Sequence, residues 1–166
     1  MSLREGVPQL VVFEEEHRDL RQILARIHSH SRARAVLLLD VNGQLVAKWG
    51  DTSGLDVTSF CSLAASNIAA TASMARLVGE KDFTILFHQG KRDSIHISLI
   101  GDRVILAVIF GAEASLGMVR LRVRRAGAEI EAVLRRILSR MRLDDRLDVD
   151  PLCDITDQDI DELFRF

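Results

Sequence analysis

Cysteine is scarce in this chain. Cys61 and Cys153 are the two among 166 residues, too few for a disulfide framework and without the spacing of a metal site. Both suit a reducing cytoplasm. Aromatic residues make up 5% of the sequence, so nothing supports a row of base-stacking side chains. No apolar stretch follows a basic start, and a secretory signal is therefore not expected. The longest apolar runs, Ala35 to Leu39 and Val104 to Phe110, are too short to cross a bilayer and read as buried strands. The net charge of −2 carries no positive surplus that would draw the whole protein to nucleic acid or anionic lipid.

What is present is the make-up of a globular domain, with 48% hydrophobic and 28% charged residues in a chain long enough for one good core. Charge is unevenly placed. Ser115 to Arg142 holds eight arginines against Glu129 and Glu131, whereas Leu143 to Phe166 holds nine acids against Arg146 and Arg165. The expected division is a folded domain over 1–142 and an acidic linker with a C-terminal docking segment over 143–166.

Hydrophobic periodicity places the elements. Leu20, Ile23, Leu24 and Ile27 recur at helical spacing between Glu14 and His30, behind an acidic start that suits the positive end of a helix dipole. Ala33 to Asp40 and Gln44 to Trp49 read as strands joined at Asn42-Gly43 by a two-residue type I′ turn. Asp56 is placed to cap a helix over Val57 to Val78, ending near Gly79. Phe83 to His88, Ser94 to Leu99 and Arg103 to Phe110 then form an antiparallel meander. Ser115 caps a last helix whose stripe is Leu116, Val119, Val123, Ala126, Ile130, Val133, Ile137 and Met141. The expected class is α+β, in the order α-ββ-α-βββ-α, with a five-stranded antiparallel sheet.

The search for chemistry finds little. Gly90-Lys91 lacks the first glycine and the Ser or Thr of a phosphate loop, and Gly90 is better read as a hairpin residue. Gly50 to Gly54 has its serine in the wrong place for a nucleophile elbow. His88 and His96 are expected on one polar face of a hairpin, as solvated histidines without a paired carboxylate, and hence no metal site. His28 and His30 sit at a helix end, where cationic side chains need no ligand role. No catalytic residue and no cofactor are expected. The arginines of the last helix admit three readings: phosphate contacts, steering of an acidic partner, or a solvated outer face.

Two features read as contact surfaces. In the second helix, Phe60, Leu63, Asn67, Ala70, Met74 and Leu77 are expected to cover the sheet. Ser62, Ser66, Ala69 and Ser73 fall opposite, a small, uncharged face of the kind another backbone can approach closely. In the C-terminal segment, Thr156 approximates a capping box with Asp159, and Ile160, Leu163 and Phe164 make an apolar stripe. That segment either docks into a groove or remains an unstructured acidic tail.

Several separated motifs resemble one family. Leu38-Leu39-Asp40-Val41-Asn42-Gly43-Gln44-Leu45 is similar to the first hairpin of the Roadblock/LC7 superfamily, and Leu63-Ala64-Ala65-Ser66-Asn67-Ile68-Ala69-Ala70 to its second-helix signature. Phe87-His88-Gln89-Gly90, Ser115-Leu116-Gly117-Met118-Val119-Arg120 and the segment Ile155 to Phe164 resemble the bacterial MglB group. Ser66 stands where that family often has glycine.

The resemblance implies a homodimeric regulator of an MglA-like small Ras-like GTPase in gliding motility or cell polarity. It implies a cytoplasmic protein recruited to a cell pole, with no active site of its own. It further implies GTPase activation without an arginine finger, with promotion of nucleotide exchange as a second effect in some members. By position, partner contact and dimer contact fall on Ser62, Ser66, Ala69, Ala70 and Ser73, near the loop Thr52 to Asp56. A second docking point falls on Ile160, Leu163 and Phe164. The alternative is a Roadblock/LC7 scaffold subunit that binds a GTPase or other proteins without activating hydrolysis.

Overall fold

A computed structural model describes residues 10–147. Its elements are α1 (Glu14–Ser31), β1 (Ala35–Asp40), β2 (Leu45–Gly50), α2 (Val57–Leu77), β3 (Ile85–Gln89), β4 (Ser94–Ile100), β5 (Val104–Phe110) and α3 (Leu116–Leu147). The five strands form one sheet in the order β2-β1-β5-β4-β3, with every neighbouring pair antiparallel. The expected class and element order are therefore found. The last helix continues to Leu147, beyond the Arg142 end read from its periodicity.

The sheet has a helical layer on each side. Residues 104, 106, 108 and 110 of β5 join the core under α1 and α3. Residues 105, 107 and 109 join the core under α2. A strand covered on both faces reads as an unbroken apolar run, which is why Val104 to Phe110 shows no alternation. α1 and α3 pack against each other through Leu20, Ile23, Leu24 and Ile27 on one side and Val119, Val123, Ala126, Ile130 and Ile137 on the other. Arg136 pairs with Asp19, and Arg26 with Glu129, across the same seam.

Caps behave as their chemistry requires. Asp56 accepts from the Ser59 amide at 3.1 Å and from the Ser59 hydroxyl at 2.6 Å. Those bonds, the hydroxyl's first, hold the Asp56 carboxyl below its usual range. At α3, the Met118 amide donates to Ser115 Oγ at 3.2 Å.

The first hairpin differs from expectation. Only Gly43 of its turn has positive φ, at 88°, so the turn is not type I′, which needs two such residues. Instead the Gly43 amide donates to the Asp40 carbonyl at 3.0 Å, and Asp40 Oδ1 accepts from the Asn42 and Gln44 amides at 2.9 and 2.8 Å. The loop is thus Val41 to Gly43, with the register shifting between Leu38 and Leu39. The Asp40 carboxylate supplies the acceptor that made the two-residue reading unnecessary.

Candidate partner-binding face on the second helix

α2 contains one charged residue, Arg76, from Val57 to Leu77. Its buried residues are Cys61, Ala64, Ala65, Ile68, Ala72 and Ala75. This corrects the expected orientation. Leu63, Met74 and Leu77, expected against the sheet, are 69%, 57% and 87% exposed, and Ala70 is exposed with them, while Phe60 and Asn67 are not fully buried. The reason is steric complementarity. Bulk on this side of the sheet comes from Leu37, Leu39, Ile105 and Ile109, so the helix comes down on its alanines and its larger side chains point away. The spacing 61, 64, 65, 68, 72, 75 is itself helical and was the available signal.

Ser62, Ser66, Ala69, Ala70 and Ser73 are all exposed. The proposed contact residues therefore share one accessible surface, now flanked by Leu63, Met74 and Leu77, which the sequence reading missed. Two of its three hydroxyls are satisfied within the helix: Ser66 donates to the Ser62 carbonyl at 2.9 Å and Ser73 to the Ala69 carbonyl at 3.2 Å. Burying those two serines strands neither hydroxyl, which lowers the cost of desolvating the face. Arg76 donates to Ser73 Oγ at 3.1 Å.

The adjoining loop is held in shape. Asp51 accepts from the Ser53 amide at 2.8 Å and also from the Ser53 hydroxyl, and these bonds, the hydroxyl's first, lower its pKa from the usual carboxylate value. Arg34 donates to the Ser53 carbonyl at 3.0 Å and to Asp93 at 2.8 Å. Beside the helix, β3 is an edge strand, with no further strand on its outer side among the described residues.

The two hairpin histidines are separated, contrary to expectation. His88 lies opposite Ile95 and His96 opposite Phe87, so the two rings fall on different faces of the sheet. The turn spans Gly90 to Asp93, and a turn one residue shorter, over Gly90 to Arg92, would have put both rings on one face. His88 Nε2 lies 3.1 Å from Asn67 Nδ2 on α2. His96 is 1% exposed and sits under α3, not in solvent.

Cys61 is a buried free thiol, and burial raises its pKa. Among the described residues no cluster of three or more His, Cys, Asp or Glu could hold a metal ion, and no helix is long and apolar enough to cross a membrane. Cys153 and the docking residues Ile160, Leu163 and Phe164 lie outside the described residues.

A five-stranded antiparallel sheet of this order, with one helix on one side and two on the other, places the chain in the α+β class. The chain belongs to the Roadblock/LC7 family, whose domain model matches residues 20–110. Within that family it is similar to MglB of Myxococcus xanthus, with 40% identity over 77% of this chain and 96% of that one, at a TM-score of 0.72. It is also similar to the gliding protein MglB from Thermus thermophilus, with 27% identity over 79% and 99% of the two chains and a TM-score of 0.73. An MglB solved in a tetrameric arrangement gives 27% identity over 80% and 99%, with a TM-score of 0.75. No curated protein matches.

Proposed function

We propose that this chain regulates an MglA-like small Ras-like GTPase, as a homodimer whose α2 faces form a platform for one GTPase molecule. The observation that carries the reading is the α2 surface, which is exposed, holds a stripe of small residues and satisfies the Ser66 and Ser73 hydroxyls within the helix. It occurs in a chain 40% identical to Myxococcus xanthus MglB. The β3 edge offers a way for two copies to join sheets.

In this reading the chemistry stays in the GTPase. Phosphoryl transfer is governed by positioning and electrostatics, and a rigid apolar platform acts by fixing the partner's own switch segments. The regulator has no active site of its own. Residues 143–166, through Ile160, Leu163 and Phe164, give a second docking point and a route to faster nucleotide exchange. The setting is the cytoplasm, with recruitment to a cell pole in gliding or polarity.

Single-turnover GTP hydrolysis by the cognate GTPase, with and without this protein in stoichiometric excess, tests the proposal. Acceleration is expected, with loss of both acceleration and complex formation in Ala69→Arg and Ser73→Arg. Binding without acceleration leaves a scaffold subunit. Unchanged binding by the folded variants removes the proposed face.

A further inference from the structure

A second site lies on the opposite side of the sheet. Between β4 and the first half of α3 runs a cleft of about 610 Å³ lined by His96 and Ser98 of β4, Arg120, Arg124 and Glu131 of α3, and Thr84 before β3. That volume is within the range of small-molecule sites. Its apolar wall comes from Ile85, Ile100 and Val123.

Three observations point to a ligand. His96 is 1% exposed, yet its Nε2 is buried with no hydrogen-bond partner among the described residues, an expensive arrangement for a polar atom. Its other nitrogen, Nδ1, is 3.4 Å from Ser98 Oγ. Whichever ring nitrogen carries the proton, Nε2 is the one left without a partner among the described residues. Burial, and then the Arg120 cation, keep the ring neutral by lowering its pKa below the ordinary histidine value.

The arginines are the second observation. Further along α3, Arg136 is tied to Asp19 and Arg140 to Glu16 of α1. Neither Arg120 nor Arg124 has an ion-pair or hydrogen-bond partner among the described residues. Third, the helix wall of the cleft carries Gly127, at which an added Cβ would meet nothing within 4 Å. A glycine inside a helix costs about 1 kcal/mol relative to alanine, and here its effect is to keep the cleft open.

We propose that this cleft binds a small phosphomonoester with an apolar body. The phosphoryl group would hydrogen-bond to the buried Nε2 of His96 and to the two guanidinium groups, a set of partners larger than a carboxylate's two oxygens require. The body lies along Ile85, Ile100 and Val123. Glu131, at the far end of the cleft, accepts from a donor on the body and disfavours a second anionic group there.

The test is a titration of the full-length, 15N-labelled protein with inorganic phosphate and, separately, with phenyl phosphate at constant ionic strength, followed by NMR. Saturable shifts are expected at the His96 ring and at the Arg120 and Arg124 side chains. Phenyl phosphate should bind about tenfold more tightly than inorganic phosphate, because its ring buries apolar area. Arg120→Gln, on an exposed side chain, and Gly127→Leu, which fills the cleft, should each weaken binding about tenfold or more. No saturable shift up to about 10 mM, an affinity too weak for a built site, overturns the proposal. So does binding that both variants leave unchanged while their remaining spectra show the native fold.

Discussion

Arg140 near the end of α3 donates a 2.7 Å hydrogen bond to the carboxylate of Glu16 in the first turn of α1, and Glu16 is 2% exposed. That bond, ahead of every other influence, holds the Glu16 carboxyl below the ordinary carboxylate value. A carboxyl whose folded pKa is depressed contributes stability above its unfolded pKa, and the contribution is lost as pH falls through the folded value. The urea midpoint of the wild type should therefore exceed that of Glu16→Gln at neutral pH. The gap should close below about pH 4, where carboxylates begin to protonate. A gap that persists at the lowest accessible pH would show that shape, not charge, fixes this corner.

Leu106 is buried in the middle of the sheet, whereas Leu63 is exposed on α2. Leu106→Ala should lower the unfolding free energy by about 2–5 kcal/mol through the lost transfer energy and the cavity left behind. Leu63→Ser should change it by less than about 0.5 kcal/mol, while weakening association with the GTPase or with a second copy. Comparable destabilisation by the two, measured by urea unfolding, would mean that α2 sits on the sheet in another orientation.

Arg76 is the one charged group on α2, and its guanidinium is engaged with Ser73. An arginine finger supplies roughly 10³- to 10⁵-fold in GTP hydrolysis. If activation works by positioning alone, Arg76→Ala should leave the stimulated rate within a few-fold of the wild type in single-turnover assays. A drop of three orders of magnitude with binding intact would make Arg76 the finger.

Gly50 and Gly54 both have positive φ, at 94° and 73°, but only Gly50 is crowded. A Cβ on Gly50 would lie 2.4 Å from the Arg34 carbonyl oxygen, whereas one on Gly54 meets nothing within 4 Å. Gly54→Ala should cost only the left-handed backbone strain, about 1–2 kcal/mol. Gly50→Ala should cost distinctly more, because the end of β2 must move away from Arg34. Equal losses in thermal unfolding would refute the packing difference.

The parts of this fold legible in the sequence were those carried by local pattern. The continuous run in β5, the stripe of α3, the Asp56 cap and the acidic start of α1 each follow from periodicity or cap chemistry, and each is present. What escaped depends on the partner surface. Whether α2 turns its leucines or its alanines inward is decided by the bulk of Leu37 and Ile105 beneath it, which the helix's own sequence does not contain. The His88–His96 separation turned on one residue of loop length, to which facing is fully sensitive. The small, uncharged face of Ser62, Ser66, Ala69 and Ser73 was legible because the lack of charge is a property of the sequence itself, whereas Ala70, read against the sheet, is exposed. The orphaned nitrogen of His96 was not, since orphanhood is a matter of neighbours.

The uncharged α2 face also sets how a partner arrives. A surface with no field beyond one engaged guanidinium cannot draw a protein in from a distance, so encounter there runs near the unsteered rate of about 10⁵–10⁶ M⁻¹s⁻¹. Speed and salt sensitivity must then come from charges at the rim, among them Asp51 and Asp56 of the neighbouring loop. The lifetime of the complex is set by the desolvated α2 face. The protein thus separates the surface that decides how fast a complex forms from the surface that decides how long it lasts, and each can be altered without the other.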